Sequence, residues 1–193
     1  MTSTRWWWIR HAPSAGLPGI MHGQDDVDAD LRDKRALKAR IATLPKDAIW
    51  LTSGLPRTMQ TAAALGGTNC RSVKGLMEQN FGDWNGKSWS DLRRDETREF
   101  WLNFATVAPP GGESFVNMMD RVSHTIAELS LEYEGRDIIV VAHAGTIRAA
   151  LTVALNLFAK SALTFQLDNL SLTEIESIPD GDLRAWCVHG INR

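Results

Sequence analysis

Cysteine is nearly missing from this chain. Only Cys70 and Cys187 occur, and neither sits in a CxxC or other metal-ligating spacing. That argues against a disulfide scaffold or a zinc module, and two free, partly buried thiols in a reducing cytosol are the expected state. A basic surplus is missing too: 21 Lys and Arg stand against 23 Asp and Glu, for a formal net charge of −2. A nucleic-acid partner ordinarily needs that surplus, so none is expected, and any positive site for an anion must be local. No apolar run approaches a membrane span, and the apolar stretch Trp6–Ile9 is too short for a signal peptide. A cytoplasmic protein without membrane association is expected. There is no HExxH or similar metal motif, no internal repeat, and no low-complexity linker.

What is present is an ordinary globular composition, with 44% hydrophobic and 23% charged residues over 193 positions. That length favours one domain with an ample core. Trp6 to Ile9 reads as a buried strand, and residues 12–29, rich in Gly, Pro and Asp, as a long loop. A helix is expected from Asp30, with Leu31, Leu37, Ile41 and Leu44 on one face, then a strand over Ala48–Thr52. A short helix over Arg57–Leu65 stops at Gly66-Gly67, and an extended piece covers Arg71–Leu76. Ser88-Trp89-Ser90-Asp91 has the form of a capping box and predicts a helix to about Phe104. A further helix runs from Ser114 to about Tyr133. The β-branched run Asp137–Ala142 is the clearest strand, followed by a turn at His143-Ala144-Gly145 and a helix over Thr146–Leu157. Alternating segments between Leu163 and Val188 supply antiparallel strands. The expected fold is α/β in three layers, a mostly parallel central sheet with helices on both faces and antiparallel edge strands. Residues 77–112, approximately, form a small helical insertion in a single domain over 1–193.

Chemistry-bearing side chains fall just after the predicted strands. Arg10 and His11 follow the first, Arg57 the second, Glu78 the third and His143 the strongest. In open α/β sheets the ligand crevice lies outside the carboxyl ends of the strands, so parallel neighbours would bring all five together. Two guanidiniums suit phosphate oxygens, two imidazoles can supply a nucleophile and a donor, and one carboxyl group can protonate a leaving oxygen. The set describes phosphoryl transfer without a metal or cofactor. A metal site from His11, His22, His143 and one of Asp25, Asp26 or Asp28 ranks below it for want of a ligand motif. His22, His124 and His189 read as ordinary loop, helix-face and tail histidines.

These segments resemble, in order, the signatures of the histidine phosphatase superfamily, which includes the phosphoglycerate mutases. Arg10-His11-Ala12-Pro13-Ser14 is similar to its Arg-His-Gly signature, and Thr52 to Ala62, with Arg57 ahead of Gln60-Thr61-Ala62, to its second segment. Glu78 to Gly86 resembles the acid segment, Gly111-Gly112-Glu113-Ser114 a helix-opening segment, and Val140 to Arg148 the last signature. The resemblance implies that His11 attacks phosphorus, that Arg10, Arg57 and His143 cradle the phosphoryl oxygens, and that Glu78 protonates the leaving group and then activates water. The attack requires an unprotonated nitrogen on His11, with the other ring nitrogen held by a hydrogen bond. Ala12 and Ala144 stand where glycines are usual and Pro13 where Glu is frequent. The family's loop asparagine has no counterpart, with Leu17 near its place and Ser14 a substitute donor. Phe-Gly-x-Trp-x-Gly within Phe81–Gly86 is similar to the phosphatase branch, whose members include α-ribazole phosphatases. The implied activity is hydrolysis of a small phosphorylated metabolite, α-ribazole 5′-phosphate being one candidate. The alternatives are a phosphoglycerate mutase and a non-catalytic phospho-ligand binding module. Phe81, Trp84, Trp89, Trp101 and Phe104 read as packing of the insertion, and Arg93 and Arg94 as a solvated helix face. The sequence does not set the oligomeric state, a homodimer being one option.

Overall fold

The computed structural model describes residues 2–92, 94–181 and 183–193, without the side chains of Arg94 and Glu96. Arg93 and the Arg94 side chain therefore lie outside the described residues. Among the described residues six strands form one sheet in the order β3-β2-β4-β1-β5-β6. β1 (Thr4–Arg10), β2 (Ile49–Thr52), β3 (Arg71–Ser72) and β4 (Asp137–Ala142) are parallel, while β5 (Leu172–Asp180) and β6 (Leu183–Gly190) extend the sheet antiparallel. The expected mostly parallel sheet with antiparallel strands at one side is what the chain forms.

The period of two along each strand divides the core. Trp6, Trp8, Leu51, Ile138, Val140 and Ile175 face α4 (Phe115–Glu132) and α5 (Ala144–Leu155). Trp7, Ile9, Trp50, Ile139 and Val141 face α1 (Lys34–Ile41) and α2 (Pro56–Ala64). The three consecutive tryptophans follow that alternation. Trp6 and Trp8 stack at 5.4 Å inside one layer, and Trp7 Nε1 on the other face donates to Asp137 Oδ1 at 2.8 Å. Burying two such rings fully is worth several kcal/mol at about 25 cal/mol per Å² of apolar surface.

Some element boundaries differ from the sequence expectation for local reasons. The first helix starts at Lys34, not Asp30, because the Asp30 carboxylate is taken by the Arg32 guanidinium and backbone N–H. Asp33 Oδ1 accepts from Ala36 N at 2.9 Å and caps the helix instead. Leu31 thus precedes the helix, and Ile41 is exposed. The Ser88–Asp91 segment closes on itself, Ser88 N donating to Asp91 Oδ2 at 3.1 Å, and α3 (Arg94–Leu102) begins beyond it. The extended piece after β2 stops at Ser72 and tightens into a 3₁₀ turn, Lys74–Leu76, where Gly75 packs against α4. A Cβ on Gly75 would lie 2.0 Å from Thr125 Oγ1. There is no separate turn after β4: His143 is itself the N-cap and α5 begins at Ala144.

Residues between 77 and 112, together with Met21, build a satellite core. Met21, Trp84, Leu92 and Phe100 are buried together, with Phe81, Phe104 and Val107 packed against them. Trp89 and Trp101, 4.5 Å apart, lie at its half-exposed edge. The loop before α1 is tied to this unit: Met21 N donates to Lys87 O and Gly86 N to Met21 O. Among the described residues no helix is long and apolar enough to cross a membrane.

Candidate active site

The parallel register sets the site. Arg10 lies beside Ala142, so His11 and His143 leave adjacent strands side by side, and His11 N donates to Ala142 O at 2.9 Å. Their rings meet edge to face, 5.1 Å between centroids. Arg57 arrives from the next strand, β2, in the first turn of α2, where Pro56 occupies the position whose N–H has no helical partner. Glu78 comes from the loop after β3, and its Oε2 accepts from Gly145 N at 3.2 Å, within the first turn of α5. A Cβ on Gly145 would stand 2.2 Å from Glu78 Oε1, so glycine is what lets the carboxylate approach. The five residues singled out in the sequence are brought together.

Both guanidiniums are committed to carbonyls. Arg57 is 2% exposed and donates through Nη1 to Asp25 O (2.9 Å) and Nη2 to Gly23 O (2.6 Å). Arg10 Nη1 donates to Leu167 O at 2.5 Å, and its Nε is buried without a partner among the described residues. Among the described residues neither forms a salt bridge with a carboxylate. Burial lowers both arginine pKa values from the usual range, with Glu78 opposing the shift at each. Arginine stays charged regardless, so the pocket holds two incompletely neutralised cations and favours an anion.

His11 is 7% exposed, and its Nδ1 lies 2.6 Å from Ala12 O. A carbonyl only accepts, so Nδ1 carries the proton and Nε2 keeps its lone pair. Burial, then Arg57, pushes the His11 pKa down to about 3. The conditions for a nucleophile at neutral pH are therefore met despite two neighbouring arginines. His143, wholly buried, is held well below the usual histidine range by burial and then by His11, Arg57 and Arg10. Its Nε2 is 2.8 Å from Ser53 Oγ.

These two neutral imidazoles make stability depend on acid. In the unfolded chain a histidine takes its proton near pH 6.5. Between about 6.5 and about 3 the unfolded state binds more protons at His11 than the folded state, so stability rises with pH and is lost as pH falls. Each such group contributes a slope of up to about 1.4 kcal/mol per pH unit. Urea midpoints measured from pH 7.5 to 4.5 are expected to fall, and to fall less steeply in a His11→Ala variant. An equal slope in the variant would contradict the buried neutral assignment.

Several contributors carried no sequence signal. Asn169 Nδ2 donates to His11 O at 2.8 Å, from 158 positions away. Gln24 Nε2 donates to Glu78 O at 2.9 Å. Arg121 on α4 clamps the Glu78 loop, donating to Gly75 O (3.0 Å) and Met77 O (3.1 Å) while pairing with Glu113 at 2.6 Å. Glu113 Oε1 accepts in turn from Asn80 N at 3.0 Å. Arg121→Ala should therefore lower stability by about 1–3 kcal/mol and reduce kcat more than it raises KM. Thermal unfolding with steady-state kinetics checks this; a large KM effect at unchanged kcat would contradict it. His22, read as an ordinary loop histidine, is near enough to shift His11, and its own pKa is lowered by burial and by Arg57. Ala12 and Ala144 need no left-handed backbone, so alanine fits at both. Leu17 is 76% exposed and cannot replace an asparagine chemically. Among the described residues no group of three His, Cys, Asp or Glu side chains could hold a metal ion. A cavity of about 760 Å³ between α1 and β5, lined by Trp7, Arg40 and Leu172 among others, contains none of the five site residues.

The arrangement is that of an α/β protein with two arginines and two neutral histidines gathered at the carboxyl ends of its parallel strands. Residues 6–188 match the Histidine phosphatase superfamily (branch 1), and the chain belongs to that superfamily. Glucosyl-3-phosphoglycerate phosphatase of Mycolicibacterium vanbaalenii is 34% identical over 162 residues, covering 76% of this chain and 72% of that one. Adenosylcobalamin/alpha-ribazole phosphatase of Escherichia coli is 26% identical over 174 residues, 85% of each chain. The native structure of mycobacterial glucosyl-3-phosphoglycerate phosphatase superposes with a TM-score of 0.85 at 27% identity, covering 98% of this chain and 99% of that one. The chain spans only 30% of the length of the first curated relatives it matches, which are mycobacterial.

Proposed function

We propose that this protein is a phosphomonoester hydrolase that transfers the phosphoryl group of a small metabolite to His11 and then to water. One observation carries the reading: the buried Arg57 and the half-buried Arg10, neither with a salt-bridged carboxylate among the described residues, flank a histidine whose Nε2 is unprotonated. In the proposed reaction Nε2 attacks phosphorus in line with the ester oxygen. The Nδ1–H bond to Ala12 O steadies the positive charge that develops on the ring. Arg10, Arg57 and His143 hold the equatorial oxygens, whose charge they match. Glu78 gives a proton to the departing oxygen. The resulting carboxylate then takes a proton from the water that attacks the phosphohistidine, and phosphate leaves.

The relatives named above carry different substrates in their names, and one fold hosts many specificities. We extend the proposal to a small phosphorylated metabolite, with α-ribazole 5′-phosphate and glucosyl-3-phosphoglycerate as the first two compounds to try. A cytoplasmic location belongs to the same proposal and is supported by Cys70 and Cys187 being free. Phosphate release from an aryl phosphate and from a panel of phosphorylated metabolites tests it. Release without added metal is expected. Interconversion of 2- and 3-phosphoglycerate without net release, or tight binding with no turnover, would overturn it.

A further inference from the structure

We propose that Ser53 is a positioning residue: its hydroxyl, backed by Thr58, donates to His143 Nε2 and thereby leaves the ring's proton on Nδ1, available to a phosphoryl oxygen. The inference rests on the phosphatase reading of the site. It concerns an element that the five-residue description leaves out.

His143 is fully buried; Nε2 lies 2.8 Å from Ser53 Oγ, and Nδ1 has no partner among the described residues. A neutral imidazole has a single N–H. With that proton on Nε2, the ring would donate to Ser53 and turn a lone pair on Nδ1 toward an arriving anion. With it on Nδ1, the ring donates to the anion, and Ser53 must donate to Nε2.

Ser53 can do so only if its own oxygen is supplied. Its Oγ already accepts from Leu55 N at 3.3 Å, and Thr58 Oγ1 stands 3.0 Å away. Thr58 Oγ1 is also 2.8 Å from Leu55 O, but that carbonyl already accepts the backbone N–H groups of Thr58 (2.9 Å) and Met59 (3.1 Å). The threonine has one hydroxyl proton, which can go to Leu55 O or to Ser53; turned to Ser53, it leaves that carbonyl with the two backbone N–H bonds it already accepts. A chain Thr58 to Ser53 to His143 to phosphoryl oxygen then closes with every buried group paired. Heavy-atom distances fit both directions of the chain, and a bound anion selects the one that ends in Nδ1–H. Ser53 is 1% and Thr58 0% exposed; burying two hydroxyls beside an imidazole is unfavourable unless they are mutually satisfied. Burial and the neighbouring cations keep His143 neutral, so the choice of tautomer is what decides whether it can donate at all.

The test uses the intact protein with ring-¹⁵N histidine and saturating inorganic phosphate. In the wild type His143 is expected as the Nδ1–H tautomer, with Nε2 shifted as a hydrogen-bond acceptor. Finding Nε2–H or an imidazolium in the phosphate-bound protein would overturn the proposal. Ser53→Ala should weaken inorganic phosphate binding by about tenfold, the worth of one buried hydrogen bond, and abolish the acceptor shift of Nε2. Ser53→Thr, which keeps the hydroxyl, should restore both, and Thr58→Val should weaken binding in the same direction as Ser53→Ala. Phosphate binding by Ser53→Ala equal to wild type would refute the role. The tautomer in the wild type decides the matter even where a variant fails to fold. Hydrolysis by the wild type is scored separately: a protein that bound phosphate but released none would sink the phosphatase reading and leave the tautomer result standing.

Discussion

Replacing His11 by alanine should reduce phosphate release by a factor on the order of 10⁴ to 10⁶, the scale seen when a covalent nucleophile is removed. No other imidazole can take over. His143 is the nearest, yet its Nε2 faces Ser53 and it is wholly buried. His22 approaches from the loop side, where its charge affects His11, but among the described residues no carbonyl fixes its tautomer as Ala12 O fixes that of His11. Binding should survive better than turnover. Arg10 and Arg57 keep their carbonyl anchors in the variant, so inorganic phosphate is still held. Removing a buried ring leaves a cavity whose cost is about 1–3 kcal/mol, offset in acid by the loss of a group that resists protonation. Turnover within a factor of ten of wild type would show that His11 is not the nucleophile.

Glu78→Gln is expected to have the second largest effect, about 10² to 10⁴ in kcat for an alkyl phosphate. Glutamine is isosteric, and its one carbonyl oxygen can replace Glu78 Oε2 in accepting from Gly145 N, while the bond that Oε1 accepts from Gln79 N is lost; the Gly145 bond and the Arg121 clamp should keep the loop in place. What it cannot do is give a proton to the ester oxygen or take one from water. The loss should therefore depend on the leaving group. An aryl phosphate with an acidic phenol leaves without help, so its phosphoryl transfer to His11 should be nearly normal. Hydrolysis of the phosphoenzyme should then become the slow step, visible as a burst of phenol followed by slow turnover. An equal loss for alkyl and aryl esters, with no burst, would place Glu78 outside the proton transfers.

Much of the fold and of the site is legible in the sequence. The run Asp137–Ala142 could hardly be other than a central parallel strand, and polar residues directly after strands are where such sheets bind ligands. Arg10, His11, Arg57 and His143 follow from that rule, because strand ends are local features. Glu78 was harder, since β3 is two residues long and the loop after it is held by a long-range clamp from Arg121 and Glu113. Asn169, Gln24 and Ser53 were invisible for the same reason: each acts across 50 to 160 positions through a single hydrogen bond, and no period or spacing encodes that. Helix starts failed where two acidic side chains competed for the same role. Asp30 and Asp33 both look like caps, and only the position of Arg32 decides between them.

In the proposed reaction a phosphoryl group rests transiently on His11 Nε2. The direct measurement is to mix the protein with phosphate-labelled substrate, quench in alkali within milliseconds, digest, and locate the label by mass spectrometry. The expected result is an acid-labile, base-stable phosphate on the peptide carrying His11, present in the wild type, accumulating in Glu78→Gln with an aryl ester, and absent from His11→Ala. Label on another residue, or undiminished label in His11→Ala, would contradict it.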